Sequence, residues 1–103
     1  MKSTKTYQIS PIHLRRLNVE ITRRTRDNAY DGHNDLAHWT REQKQQAYDT
    51  LKDSIQENGI KTPIIIMFKR HENQDALLQG HHRLNIAIEL NLSTIPVQFT
   101  THE

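Results

Sequence analysis

The stretch Leu77-Leu78-Gln79-Gly80-His81-His82-Arg83-Leu84 holds the residue types best suited to chemistry. An apolar run ends at a glycine, and three side chains of cationic or donor character fill the first turn of the helix predicted to follow. Helix N-termini leave backbone amides unpaired and carry a partial positive charge, so they accept anions. Cations placed there oppose the helix dipole at a cost of about 0.3–1 kcal/mol each. An oxyanion seated on the same amides would offset that cost. Glycine allows close approach to the backbone, and arginine can engage two phosphate oxygens at once. The spacing predicts a phosphate cradle at Gly80, His81, His82 and Arg83, with Arg83 and His82 adding charge and hydrogen bonds. On the residues alone a plainer reading stands beside it: two neutral histidines, one capping the helix and one hydrogen-bonded within the fold.

A second concentration of charge lies near the N-terminus. Residues 1–30 carry seven basic groups against Glu20 and Asp27, a net of +5; the rest carry seven basic and ten acidic groups, a net of −3, giving the overall +2. Arg15, Arg16, Arg23, Arg24 and Arg26 form a segment that attracts phosphates. A nucleic-acid partner such as DNA is therefore a second reading, and a merely solvated arginine stretch a third. Few aromatics are interleaved, which argues against a single-strand stacking platform. Metal ligation is not indicated. Cysteine is absent, adjacent helical histidines point about 100° apart, and His33 and His38 lie five apart with His13, His71 and His102 isolated.

The elements that must position these residues follow from periodicity. Thr40 and Gln43 have the capping-box spacing, Glu42 suits the positive end of the dipole, and Ala47, Tyr48, Leu51 and Ile55 share one helical face. Asn58-Gly59 supplies the stop. A helix is expected over about 40–58. Pro63 precedes five apolar residues, expected to be a strand buried on both faces. A polar turn at 69–74 and a second strand at 75–79 make a hairpin. The next helix, about 81–91, carries Leu84, Ile86, Ala87, Ile88 and Leu90 around most of its circumference and should be deeply buried. Ile95-Pro96-Val97-Gln98-Phe99 alternates as a closing strand, with Pro96 suited to a sheet edge. Upstream, Tyr7–Ile9 reads as a short edge strand, Ile12, Leu14 and Leu17 as anchors, and 27–35 as a loop. The chain of 103 residues holds one domain, with residues 1–30 as a basic arm containing the first strand and 40–99 as the packed core. With a mean hydropathy of −0.84, no apolar run near the roughly 20 residues of a membrane span and no signal peptide, a cytoplasmic protein without a membrane partner is expected.

The ordered set LKDSIQENGIKTPIII, a hairpin, then LLQGHHRLNIAIELNLSTIPVQF resembles the ParB/sulfiredoxin superfamily over roughly residues 47–99. The resemblance implies an α+β fold, a mixed sheet of about four short strands packed with two main helices, and a nucleotide (ATP or CTP, with Mg2+) held by its phosphates at the glycine-led helix start. The corresponding stretch reads Gly-Glu-Arg-Arg in partition proteins, Gly-Cys-His-Arg in sulfiredoxins and Asp-Gly-His-His-Arg in the free-serine kinases of this group. Gly80 and Arg83 match all three, His82 the last two and His81 the kinase form alone. PIHLRRL falls where the family's first strand and an arginine contact lie, so Arg15 or Arg16 is expected to close over the phosphates. His81 in place of the cysteine excludes sulfiredoxin chemistry. Gln79 stands where the kinase form has aspartate. The sequence also lacks the downstream helix-turn-helix and second phosphate motif of partition proteins, so centromere recognition and a CTP-gated clamp are not expected.

A phosphotransferase or nuclease needs a general base or metal-holding carboxylates near the phosphate. Glu72, Asp75 and Glu89 are not paired by spacing, and nothing selects among Glu20, Asp31 and Asp35, so enzymatic turnover is left open. A protein-binding role without ligand is the remaining alternative, for which Tyr30 and Trp39 offer exposed aromatic contacts; Trp39 also suits a hydrophobic staple beside Thr40.

Overall fold

A computed structural model describes residues 5–16, 24–71 and 74–100, with side chains described except at 15, 16, 68–71 and 74. The elements run β1 (Tyr7–Ile9), α1 (Pro11–Arg16), a 3-10 turn (Asn34–Leu36), α2 (Arg41–Asn58), β2 (Ile64–His71), β3 (Gln74–Gln79), α3 (His81–Glu89) and β4 (Ile95–Thr100). The strands form one mixed sheet in the order β1-β4-β2-β3. β2 pairs antiparallel with β3 and parallel with β4, and β4 pairs antiparallel with β1. The fold is a small α+β domain. No helix among the described residues is long and apolar enough to cross a membrane.

α2 begins at the expected cap: the Thr40 hydroxyl accepts from the Gln43 amide at 3.1 Å, and the Gln43 side chain accepts from the Thr40 amide at 2.8 Å. Its buried face, Tyr48 and Ile55, does not lie on the sheet but meets Ile86 of α3 and Ala29 of the preceding loop. The other face of α3, Leu84 and Ala87, packs with Ile64, Ile66, Leu77, Ile95 and Val97 of the sheet and Leu14 of α1. α3 is thus sandwiched between sheet and α2, which is why apolar residues surround most of it. Fully burying one such side chain stabilises the fold by roughly 1.5–3 kcal/mol.

Several expectations are corrected. Ile88 is 37% exposed rather than deeply buried, and α3 ends at Glu89, with Leu90 as its C-cap. In β2, Ile64 and Ile66 are buried while Ile65 and Met67 are half-buried, so one face rather than both is deeply covered. The expected polar turn is mostly strand, since β2 continues to His71 and β3 starts at Gln74. Pro96 sits in an interior strand, not at an edge. The β2–β4 register starts at Ile64↔Val97, so Pro96 lies one residue outside the parallel ladder and its missing donor breaks no bond there. The core also extends beyond 40–99, taking in Leu14 and Ala29, both fully buried. PIHLRR is a helix that opens with proline at its first position, where no amide is needed. Within it, Leu14 is the anchor, Ile12 is 63% exposed, and Leu17 lies outside the described residues.

Candidate functional site at the start of helix α3

The β3–α3 junction turns on Gly80, which takes φ 102° and ψ 26°, in the left-handed region. A Cβ there would lie 2.8 Å from the Cβ of Ile64, so both the backbone and the neighbouring strand demand glycine. The helical ladder begins with the Leu84 amide donating to the Gly80 carbonyl at 2.8 Å. The three amides before it, of His81, His82 and Arg83, have no acceptor among the described residues, and no side chain caps the helix. This turn lines an open cleft of about 760 Å³, whose opposite wall includes Arg24, Tyr30 and His33.

The four residues of the expected cradle are therefore side by side, but their side chains differ in state. Arg83 donates from Nη1 to the Thr62 carbonyl at 2.8 Å, tying α3 to the segment before β2; burial pulls its pKa below the usual arginine value. Its remaining N–H groups have no partner among the described residues. His81 makes no side-chain hydrogen bond there, and burial, reinforced by Arg24 and His33, lowers its pKa. His82 Nε2 accepts from the Tyr30 amide at 2.9 Å, and its ring stacks on Tyr30 with centroids 4.3 Å apart and planes 18° apart. Burial, then His33, Arg24 and His81, bring the His82 pKa down to about 4. His82 is neutral at pH 7 and supplies no cationic charge, contrary to expectation. The plainer reading of the histidines thus holds for His82, which is hydrogen-bonded within the fold, but not for the cap.

The cleft's opposite wall belongs to a strap, residues 24–33. Arg26 makes a two-pronged pair with Asp49 of α2 at 2.9 and 3.0 Å. Arg41 reaches the Ala29 carbonyl at 3.4 Å, and Arg41 and Lys44 both approach Asp31. Asp31 is the one carboxylate among the described cleft residues, and the Arg41 contact holds its pKa below the usual range. It is thereby neutralised as a free base. Asp35 lies exposed in the 3-10 turn, and Glu20 is outside the described residues. No three His, Asp or Glu side chains converge on a metal-sized site among the described residues.

The expected arginine segment divides. Arg24 lines the cleft, donating from Nη1 to the Asn28 carbonyl at 3.2 Å, whereas Arg26 is committed to Asp49. The side chains of Arg15 and Arg16, and all of Arg23, lie outside the described residues. Sequence reasoning missed Tyr30 and His33 as cleft residues and offered Tyr30 as an exposed contact, whereas it is half-buried against His82. The available signal was Ala29-Tyr30, an apolar pair inside a run of turn formers.

The comparisons with known proteins agree with this geometry at the level of fold. No curated protein sequence is significantly similar to the chain. Sulfiredoxin from Arabidopsis thaliana superimposes with a TM-score of 0.56 and 18% identity, covering 95% of this chain and 86% of that one. The C-terminally truncated chromosome-partitioning protein ParB from Caulobacter crescentus, complexed with CTP-gamma-S, gives 0.58 and 14%, covering 96% of this chain and 46% of that one. This chain thus spans about half the length of the partition protein. The family model of the ParB N-terminal domain matches residues 33–103, so the chain belongs to the ParB N-terminal domain family.

Proposed function

We propose that this domain binds a nucleotide by its phosphates at the first turn of α3. The observation that carries the reading is the combination of three unpaired amides at His81, His82 and Arg83 with a cleft whose one described carboxylate, Asp31, is already paired with Arg41 and Lys44. Backbone donors and the positive end of the helix suit an oxyanion. Arg83 keeps donors beyond its Thr62 bond, and Arg24 faces the same cleft from the strap. Arg15 and Arg16 remain proposed contacts from α1. Such a site reads phosphates and not the base. A triphosphate heads the proposal because the structurally similar Caulobacter partition protein was solved with CTP-gamma-S, and ATP is the alternative. Magnesium would arrive on the triphosphate, since Asp31 is already held by Arg41 and Lys44.

A DNA-binding strip is less well supported, because Arg24 and Arg26 serve the cleft and an ion pair rather than one open face. The test is a thermal-shift panel of CTP, ATP, GTP, UTP and inorganic tripolyphosphate, with and without magnesium. Ligand at 100 times its dissociation constant adds about 2.7 kcal/mol, a rise on the order of 10 °C or more in a domain this size. CTP or ATP, together with tripolyphosphate, should produce it. A panel that leaves the melting temperature unmoved would overturn the proposal.

A further inference from the structure

We infer that His82 is a latch that holds the 24–33 strap across the cleft, a positioning residue for Arg24 and His33 rather than a phosphate ligand. The strap is fastened to α2 by the Arg26–Asp49 and Asp31–Arg41 pairs and by Ala29, fully buried against Tyr48, Ile55 and Ile86. On the α3 side it is held by His82, which takes the Tyr30 amide at Nε2 and packs flat on the Tyr30 ring. Tyr30 has φ 60°, a left-handed conformation that a residue with a Cβ adopts only when its surroundings compensate. The latch supplies that compensation and aims the flanking residues: Arg24 lies six positions before Tyr30 and His33 three after, and both line the cleft.

The hydrogen bond assigns the tautomer. A ring that accepts at Nε2 carries its proton on Nδ1 and is neutral. The groups around it keep it so. Arg24, His33 and Tyr30 face it from the strap, Tyr48 from α2 and His81 from its own helix, and none of these is an anion. Protonation would convert the acceptor into a donor opposite another donor, and the strap would be released from α3.

The experiment has an arm that needs no ligand and an arm that rests on the phosphate reading. In the wild-type protein at pH 7, imidazole 15N spectra should show His82 with Nδ1 protonated and Nε2 bare, and the Tyr30 amide resonance should titrate together with His82 on acidification. An Nε2-protonated ring, or a Tyr30 amide indifferent to that titration, overturns the latch even if His82→Ala does not fold. In the second arm, inorganic tripolyphosphate is titrated calorimetrically into wild type, His82→Ala, Arg24→Ala and the double variant. A latch acting through Arg24 gives about a tenfold loss for His82→Ala in the wild-type background, yet less than about a twofold further loss on Arg24→Ala. Additive losses would make His82 a direct ligand and overturn the inference. If tripolyphosphate binds to none of the four, the phosphate reading fails, while the tautomer and the Tyr30 titration still decide the latch.

Discussion

The two ends of α3 treat their polar groups in opposite ways. At the C-terminal end, Glu89 accepts from Tyr48 and from Asn85 at Oε1 and from Lys52 at Oε2, and Asn85 also donates to the Tyr48 hydroxyl at 2.9 Å. Burial works to raise the Glu89 carboxyl, but Lys52 and Tyr48 outweigh it and hold it below the usual range. Every charge there has its counterpart within the protein. At the N-terminal end, amides and the free donors of Arg83 gather beside His81 and Arg24, with no counter-charge left unengaged among the described cleft residues. A closed network fastens α2 to α3 and leaves nothing over. The N-terminal end instead leaves donors over, and these are the groups proposed to take a phosphate.

The largest effect is expected from Gly80→Ala. The substitution forces a Cβ onto Ile64 at a left-handed position, which should destabilise the domain by roughly 3 kcal/mol from strain and overpacking together; the urea unfolding midpoint measures it. Arg83→Ala comes next. We expect it to weaken triphosphate binding by about 1–3 kcal/mol in calorimetry, the worth of a charge-assisted contact, while the C-terminal network is untouched. Tyr48→Phe is its counterpart at the other end, expected to cost about 1–2 kcal/mol of stability with nucleotide affinity unchanged. An affinity that fell with it would mean the two ends are not independent.

The pH dependence sharpens the contrast, because the two ends should fail in opposite directions. His82 falls from 6.5 to about 4 on folding, so the unfolded chain binds the extra proton and its stabilising contribution is lost as pH drops from about 6.5 toward 4. Tyr48 rises from 10.0 to about 12, through burial and the Glu89 contact, so its contribution is complete below pH 10 and lost as pH climbs toward 12. Chemical denaturation across pH should show His82→Gln flattening the acid limb and Tyr48→Phe the alkaline one. The smallest effect expected is that of Arg26→Ala. Its pair with Asp49 is exposed, and surface pairs contribute little, so the unfolding midpoint should scarcely move.

Local features were legible in the sequence. Thr40 and Gln43 announced the start of α2, Asn58-Gly59 its end, and Gly80 the turn into α3, because caps and left-handed positions restrict residue type within a few neighbours. The resemblance carried by the ordered set of Asn58-Gly59, Pro63-Ile64, Gly80 to Arg83 with Ala87, and Ile95-Pro96-Val97 also led to the correct fold. What stayed hidden depends on distant partners. Nothing near His82 indicates that a residue 52 positions earlier occupies its Nε2, and nothing in IPVQF says that a three-residue strand will cover β4 and place Pro96 inside the sheet. PIHLRR, only six residues long, is too short for periodicity to reveal a helix. Ile88 is exposed although its helix is apolar nearly all round, because apolar residues around a helix do not say which of them its neighbours reach.

The most direct measurement is an amide NMR titration of the uniformly 15N-labelled protein with inorganic tripolyphosphate and then with CTP. The His81, His82 and Arg83 amide resonances should shift first and furthest, moving as donors to an anion do, with both ligands converging on the same three residues. Shifts centred anywhere else, or spectra unchanged at saturating ligand, would contradict it.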